Sequence, residues 1–379
     1  MKRNLTILLI ISVIICASLA TCAISKSKKT SSKSSDSQSS ASEESPSVTT
    51  DSLDEKQVSS VPQIEILTDG IDDTNIDDSE NVGDDEEAED ISLIPSGDNS
   101  GKRVVCWGDS LTEGTGGEGV TMPNTLEKLS GAKVINYGGY GEDSSCIAAR
   151  QGGNPQELVE DIVIPATCTP VRAQTSGNYG WDMLLVFSDV GINNVVLGGI
   201  EGTYGWYEDE RCFTRLTPGE ETPLPEGTQL FFHGMLDKKP DDILVIWCGS
   251  NDGIENPDEI GGLVKRINEM IAYQGNDKYI VVSLTSRHAR IPLVDEINKS
   301  LSKEFGDHYL DFRSFIVNDA LDQLGITPTD MDKKAIAIGD VPYSLRMSLD
   351  EEENHGNPDF YRLAGEQVYK KLKSLGYLY

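Results

Sequence analysis

The run Asp241–Gly249, DDILVIWCG, narrows the fold more than any other stretch of the chain. Its apolar residues follow one another without alternating with polar ones. A short unbroken run of this kind suits a strand covered on both faces, as in a parallel sheet. Four further short runs keep it company: RVVCWG from Arg103, KVINYG from Lys133, KYIVVSLTS from Lys278 and YLDFRSF from Tyr309. Helical patterns separate them. MPNTLEKLSG ends at Gly131, and PDEIGGLVKRINEMIAYQG sets Val264, Ile267, Met270 and Ile271 on one stripe. LVDEINKSLSKEFG and the C-terminal DFYRLAGEQVYKKLKSLGY follow. Strand and helix alternate through the region 102–379, which predicts an α/β domain with a parallel sheet and helices on both faces.

One segment breaks that rhythm. From about residue 165 to 235 the chain shows short β-prone runs, many Gly and Thr, and no helical stripe. It reads as a small β subdomain inserted between two core elements. Trp181, Tyr204, Trp206 and Tyr207 concentrate there. They suit either the thin core of a small sheet or stacking on sugar rings.

Upstream of the domain the composition changes character. Lys2 and Arg3 precede an uncharged stretch from Leu5 to Ile24, the pattern of a secretory signal. Three outcomes fit it: cleavage after Ala20, lipidation at Cys22 within a lipobox-like LATC, or an uncut membrane anchor within residues 1–25. Each places the rest of the chain outside the cytoplasm, secreted or tethered to the outer face of the membrane. Residues 26–101 are Ser-rich and then acidic; residues 24–101 hold 20 Asp and Glu against 5 Lys, close to half of the net charge of −31. Too few apolar residues are present to offset the entropy of ordering, so this part reads as a disordered tether. Its Asp run lacks the spacing of an EF-hand loop.

No basic segment stands out, which argues against a nucleic-acid partner. Of seven Cys, Cys16 and Cys22 fall in the targeting segment and five in the folded part. None is spaced C-x-x-C, so a zinc site is not signalled. Cys106 and Cys248 lie within strand-like runs and read as small core residues.

The first strand run ends in Gly108-Asp109-Ser110, all ordinary turn formers. A nucleophile elbow would need G-x-S-x-G, and Thr112 stands where the second Gly belongs. A serine nucleophile also needs a base, a group that orients the base, and oxyanion donors. Four His are available. His233, His288 and His308 read as surface or structural residues. His355 lies in a polar loop, after a run of carboxylates and just before the last helix.

With these positions in place the chain resembles the SGNH/GDSL hydrolases in four separated motifs. They are Gly108-Asp109-Ser110-Leu111, the Gly141 of NYGGYGEDS, Gly249-Ser250-Asn251-Asp252, and the late His355. The resemblance covers roughly residues 102–160 and 234–379. It implies a flavodoxin-like three-layer α/β/α sandwich, with the motifs gathered at the C-terminal edge of the sheet, where open α/β folds bind ligands. It further implies that Ser110 attacks an ester carbonyl and that His355 moves the proton. The N–H groups of Ser110 and Gly141 and the amide of Asn251 would hold the oxyanion. The family usually carries an Asp three residues before the His. Here Glu352 occupies that place and Asp350 lies five residues before; spacing favours Glu352 and residue type favours Asp350, and Glu352 is taken as the acid.

The implied activity is extracellular carboxylic ester hydrolysis on a small-molecule or glycan ester, including O-deacylation of carbohydrate or cell-wall material. No metal or organic cofactor is called for by such a mechanism. A lipid esterase, an O-acyltransferase on the same fold, and a non-catalytic surface binding protein with an altered triad are the competing classes.

Overall fold

The computed structural model describes residues 97–176, 194–208, 210–285 and 288–379. The N-terminal apolar segment and the Ser-rich and acidic stretch up to residue 96 lie outside these residues. Among the described residues no helix is long and apolar enough to cross a membrane.

In chain order the strands are β1 (Arg103–Gly108), β2 (Lys133–Gly138), β3 (Gln156–Glu157), β4 (Ile162–Ile164), β5 (Val171–Arg172), β6 (Asn194–Leu197) and β7 (Ile200–Tyr207). They continue as β8 (Glu210–Arg215), β9 (Thr222–Leu224), β10 (Gln229–Phe232), β11 (Ile243–Trp247), β12 (Tyr279–Val282) and β13 (Tyr309–Leu310). Five of them form a parallel sheet in the order β13-β12-β11-β1-β2. Counted among themselves this is the order 2-1-3-4-5, that of the flavodoxin-like doubly wound sheet.

The unbroken apolar runs are explained by the two layers they serve. Successive residues of a strand point to opposite faces. Val104, Cys106, Ile243, Val245, Trp247, Ile280 and Val282 join one core, beneath the helices Met122–Ser130 and Pro358–Ser374. Val105, Trp107, Leu244, Ile246, Cys248 and Val281 join the other, against the helices Ser144–Gln151, Ile260–Gln274 and Ile291–Phe305. Cys106 and Cys248 are therefore small core residues, as their sequence setting suggested.

Helix boundaries follow local chemistry. Thr121 and Asn124 form a reciprocal capping box at the start of Met122–Ser130, and Gly131 closes it in the left-handed conformation. The fifth strand is shorter than the run YLDFRSF suggests. Asp311 accepts a hydrogen bond from the N–H of Ser314 (3.0 Å) and so caps a helix, Phe312–Asn318, which ends the strand after two residues.

The inserted β subdomain lies between the helix Ser144–Gln151 and the short helix His233–Asp237. Its six-stranded sheet runs β3-β10-β6-β7-β8-β5, and β4 pairs with β9 beside it. Its strands begin at Gln156, earlier than the β-prone composition indicated. Gly198 and Gly199, both at positive φ (59° and 79°), make the tight turn between β6 and β7. One face packs Val195, Leu197, Tyr204, Phe213, Leu230 and Phe232 into a third core. Tyr204 is thus a core residue, whereas Trp206 and Tyr207 are exposed. Trp181 lies outside the described residues.

Candidate active site

β1 delivers Ser110 to the C-terminal edge of the parallel sheet. Gly108 is required there: a Cβ would fall 2.2 Å from the Trp247 carbonyl of the neighbouring strand and 2.1 Å from Thr112 Oγ1. Asp109 accepts a hydrogen bond from the N–H of Leu111 (2.9 Å) and caps the single turn Ser110–Glu113. Gly114 ends that turn at φ 100°. The Tyr361 hydroxyl, on the last helix, donates to the Thr115 carbonyl (2.6 Å) and ties the following loop down.

Ser110 and His355, 245 residues apart, meet with Oγ 2.9 Å from Nε2. The other imidazole nitrogen, Nδ1, lies 2.8 Å from Glu353 Oε1. The acid at His355 is therefore Glu353 and not Glu352, the residue that spacing favoured. Residues 350–352 turn outward: the N–H of Glu352 donates to Asp350 Oδ1 (2.9 Å), and both side chains are exposed. Glu353 folds back, and its Oε1 also accepts from the His355 backbone N–H (2.9 Å), while Oε2 accepts from Ser348 Oγ (3.1 Å). Partial burial pushes the Glu353 carboxyl up, but these three bonds outweigh it and hold the group below the usual Glu range.

The loop that presents His355 is pinned from beneath. Arg346, almost fully buried, pairs with Asp340 (3.0 Å) and donates to the carbonyls of Val341, Asp350 and Glu351. Residues Arg346 and Gly356 bridge the two sides of the loop, and the Met347 N–H donates to the His355 carbonyl (2.9 Å).

Gly141 sits in the turn after β2 at φ 73°, a conformation that favours glycine. Asn251 follows β11, and its Nδ2 donates to the carbonyl of Glu142 (3.0 Å), the residue next to Gly141. One of the two amide N–H groups is thereby used, and the amide is oriented against the Gly141 turn. A second link joins the same two loops. Asp252 accepts from the Ser144 N–H (2.7 Å) and hydroxyl (2.5 Å), and Arg266 Nε donates to Ser144 Oγ (2.6 Å). Beneath them Glu142 is fully buried against Arg150, which donates to it through Nε and also to the Tyr137 carbonyl (3.0 Å). Burial raises the Asp109 carboxyl to about 7, with nearby Asp252 adding to the rise against bonds from Leu111 and Ser250.

A cavity of about 30 Å³ lies beside this edge, lined in part by Gly249, Ser250, Ile254, Leu284, Thr285 and Asn354. Two other His serve elsewhere. His308 stacks on Tyr279 (4.1 Å between ring centroids) and its Nδ1 lies 2.8 Å from the Tyr279 carbonyl; His233 opens a short helix at the surface. The buried pair Glu142–Arg150 gave little sign of itself in the sequence. Glu353 was visible as one of a run of carboxylates, with nothing local to single it out.

No family model matches the chain, and no curated protein does. Among solved structures the chain is similar to a member of the lipolytic protein G-D-S-L family from Veillonella parvula, at 16% identity and a TM-score of 0.38, covering 73% of this chain and 100% of that one. It is likewise similar to a G-D-S-L-family protein from Desulfitobacterium hafniense, at 15% identity and a TM-score of 0.37, covering 71% of this chain and 99% of that one.

Proposed function

We propose that the protein is a serine ester hydrolase acting outside the cytoplasm. The single observation that carries the reading is the hydrogen-bonded series from Ser110 Oγ through His355 to Glu353, with contacts of 2.9 and 2.8 Å. An ionised Glu353 keeps the proton of the imidazole on Nδ1. Nε2 is then free to accept the Ser110 hydroxyl proton as Oγ attacks the ester carbonyl. The oxyanion is held by the N–H groups of Ser110 and Gly141 and by the second N–H of the Asn251 amide. His355 returns the proton to the leaving alcohol, and water then attacks the acyl-enzyme by the same route in reverse. The charged start and uncharged stretch at the N-terminus support the extracellular setting.

Labelling with a fluorophosphonate probe tests the reading. Wild-type protein is expected to label and Ser110→Ala to stay unlabelled. Folded wild-type protein that takes no label would favour a binding module instead.

A further inference from the structure

Of the oxyanion donors in the ester hydrolase reading, two lie away from Ser110, and one residue without a role so far adjoins both. Glu142 closes the turn Gly139–Glu142 with its own backbone: its N–H donates to the Gly139 carbonyl (3.2 Å). Gly141 stands third in that turn at φ 73°, as a type II turn requires. The peptide joining Tyr140 to Gly141 faces opposite ways in types I and II, so the turn type decides where the Gly141 N–H points. The Glu142 carbonyl accepts from Asn251 Nδ2 (3.0 Å) and so aims that amide.

The Glu142 side chain fixes these two backbone groups from beneath. Its carboxylate is fully buried against Arg150, itself only 2% exposed. Arg150 Nε donates to Oε1 and Oε2 (2.9 and 2.8 Å), and Nη2 donates to Oε2 as well. Nη2 also donates to the Tyr137 carbonyl on β2 (3.0 Å). One guanidinium thereby ties the strand that enters the turn to the residue that leaves it. The same group lies 5.4 Å from the centre of the Trp107 ring, on the strand that presents Ser110. The space under the turn is filled: a Cβ on Gly139 would fall 2.7 Å from Glu142 Oε2 and 3.0 Å from Arg150 Nη2. A buried ion pair gains little stability over apolar residues of similar volume. Its planar fork supplies direction instead, because it accepts a carboxylate in few orientations.

We propose that Glu142 is a positioning residue for the oxyanion hole, held by Arg150, and that it sets the Gly141 N–H and the Asn251 amide together. The proposal rests on the ester hydrolase reading, which supplies the oxyanion.

The test uses the full chain with 4-nitrophenyl acetate. Glu142→Gln is expected to lower kcat about a hundredfold and to leave KM within about threefold, the pattern of a lost oxyanion donor. In an Asn251→Ala background the same substitution should cost less than about tenfold, because both changes act through one amide. Glu142→Met/Arg150→Met fills the space with apolar side chains at little cost in stability, and kcat should stay down about a hundredfold. This double variant decides the matter if Glu142→Gln does not fold. The proposal is overturned by a Met pair with kcat within about threefold of wild type, by Glu142→Gln with unchanged kcat, or by losses that multiply in full with Asn251→Ala. A last measurement is independent of turnover. Hydrogen exchange of the Asn251 side-chain amide, followed by NMR, should quicken about tenfold in Glu142→Gln. Unchanged exchange overturns the proposal. Quickened exchange in a protein whose wild type hydrolyses no ester would sink only the hydrolase reading.

Discussion

The two ends of the candidate site are held in different ways. The Ser110 end is a strand running into a capped turn, and its geometry comes from backbone packing: Gly108 against the neighbouring strand, Asp109 on Leu111, Gly114 at positive φ. The His355 end is a loop between two helices, held by side chains that reach over several residues, chiefly Arg346 and Glu353. The contrast teaches that the candidate nucleophile is positioned by strand packing and backbone caps, while its candidate base is positioned by charged side chains of its own loop that reach back to loop carbonyls and to the imidazole.

Perturbing the Ser110 end should have the largest effect. Ser110→Ala is expected to lower kcat by about 10⁶, measured on an acetyl ester, because the series cannot act without its nucleophile. At the other end, Glu353→Gln should cost about 10³–10⁴ in kcat by spoiling the imidazole tautomer. Glu352→Gln should stay within about threefold of wild type, since that side chain faces solvent. Equal losses in the two Glu variants would break the comparison, because the loop would then use a different acid during turnover.

Loop support can be probed by stability rather than rate. Arg346→Leu removes the guanidinium that faces the Asp340 carboxylate, with both side chains only 1% exposed in wild type. A loss of about 3–5 kcal/mol is expected in urea unfolding. A value near zero would mean that the loop does not lean on this arginine.

The Ser110 end also carries a dependence of stability on pH. The folded-state pKa of Asp109, about 7, lies above its unfolded value near 3.8. The folded chain therefore binds more protons between those values, and Asp109 takes stability away as pH rises through that window. Asp109→Asn should make unfolding stability flatter between about pH 4 and 7, by up to about 4 kcal/mol across that window. A variant with the wild-type slope would show that the carboxyl is already ionised in the folded state at low pH.

Legibility in the sequence follows the same division. The apolar runs around Val104, Ile243 and Ile280 announce strands because both faces are covered, and the 2-1-3-4-5 order agrees with the layered fold they imply. YLDFRSF misleads because Asp311 caps a helix, a choice made by a single side-chain oxygen. The insertion is legible as β-rich but not in its extent, since Gln156 and Glu157 join the sheet only by pairing with β10, more than 70 residues on.

By itself the sequence determined the alternating layers, the turn that presents Ser110 and the pairing of that turn with Gly141, Asn251 and His355 as candidates. The first two depend on periodicity or on backbone preferences that act within a few residues, and the third rests on the resemblance to the SGNH/GDSL hydrolases. Only the tertiary structure decided that Glu353 reaches the imidazole while Glu352 faces solvent. In a run of four carboxyl side chains the choice is settled by which one the Arg346-pinned turn directs inward, and that depends on how the whole loop closes over Arg346 and presents His355 to Ser110, 245 residues earlier in the chain.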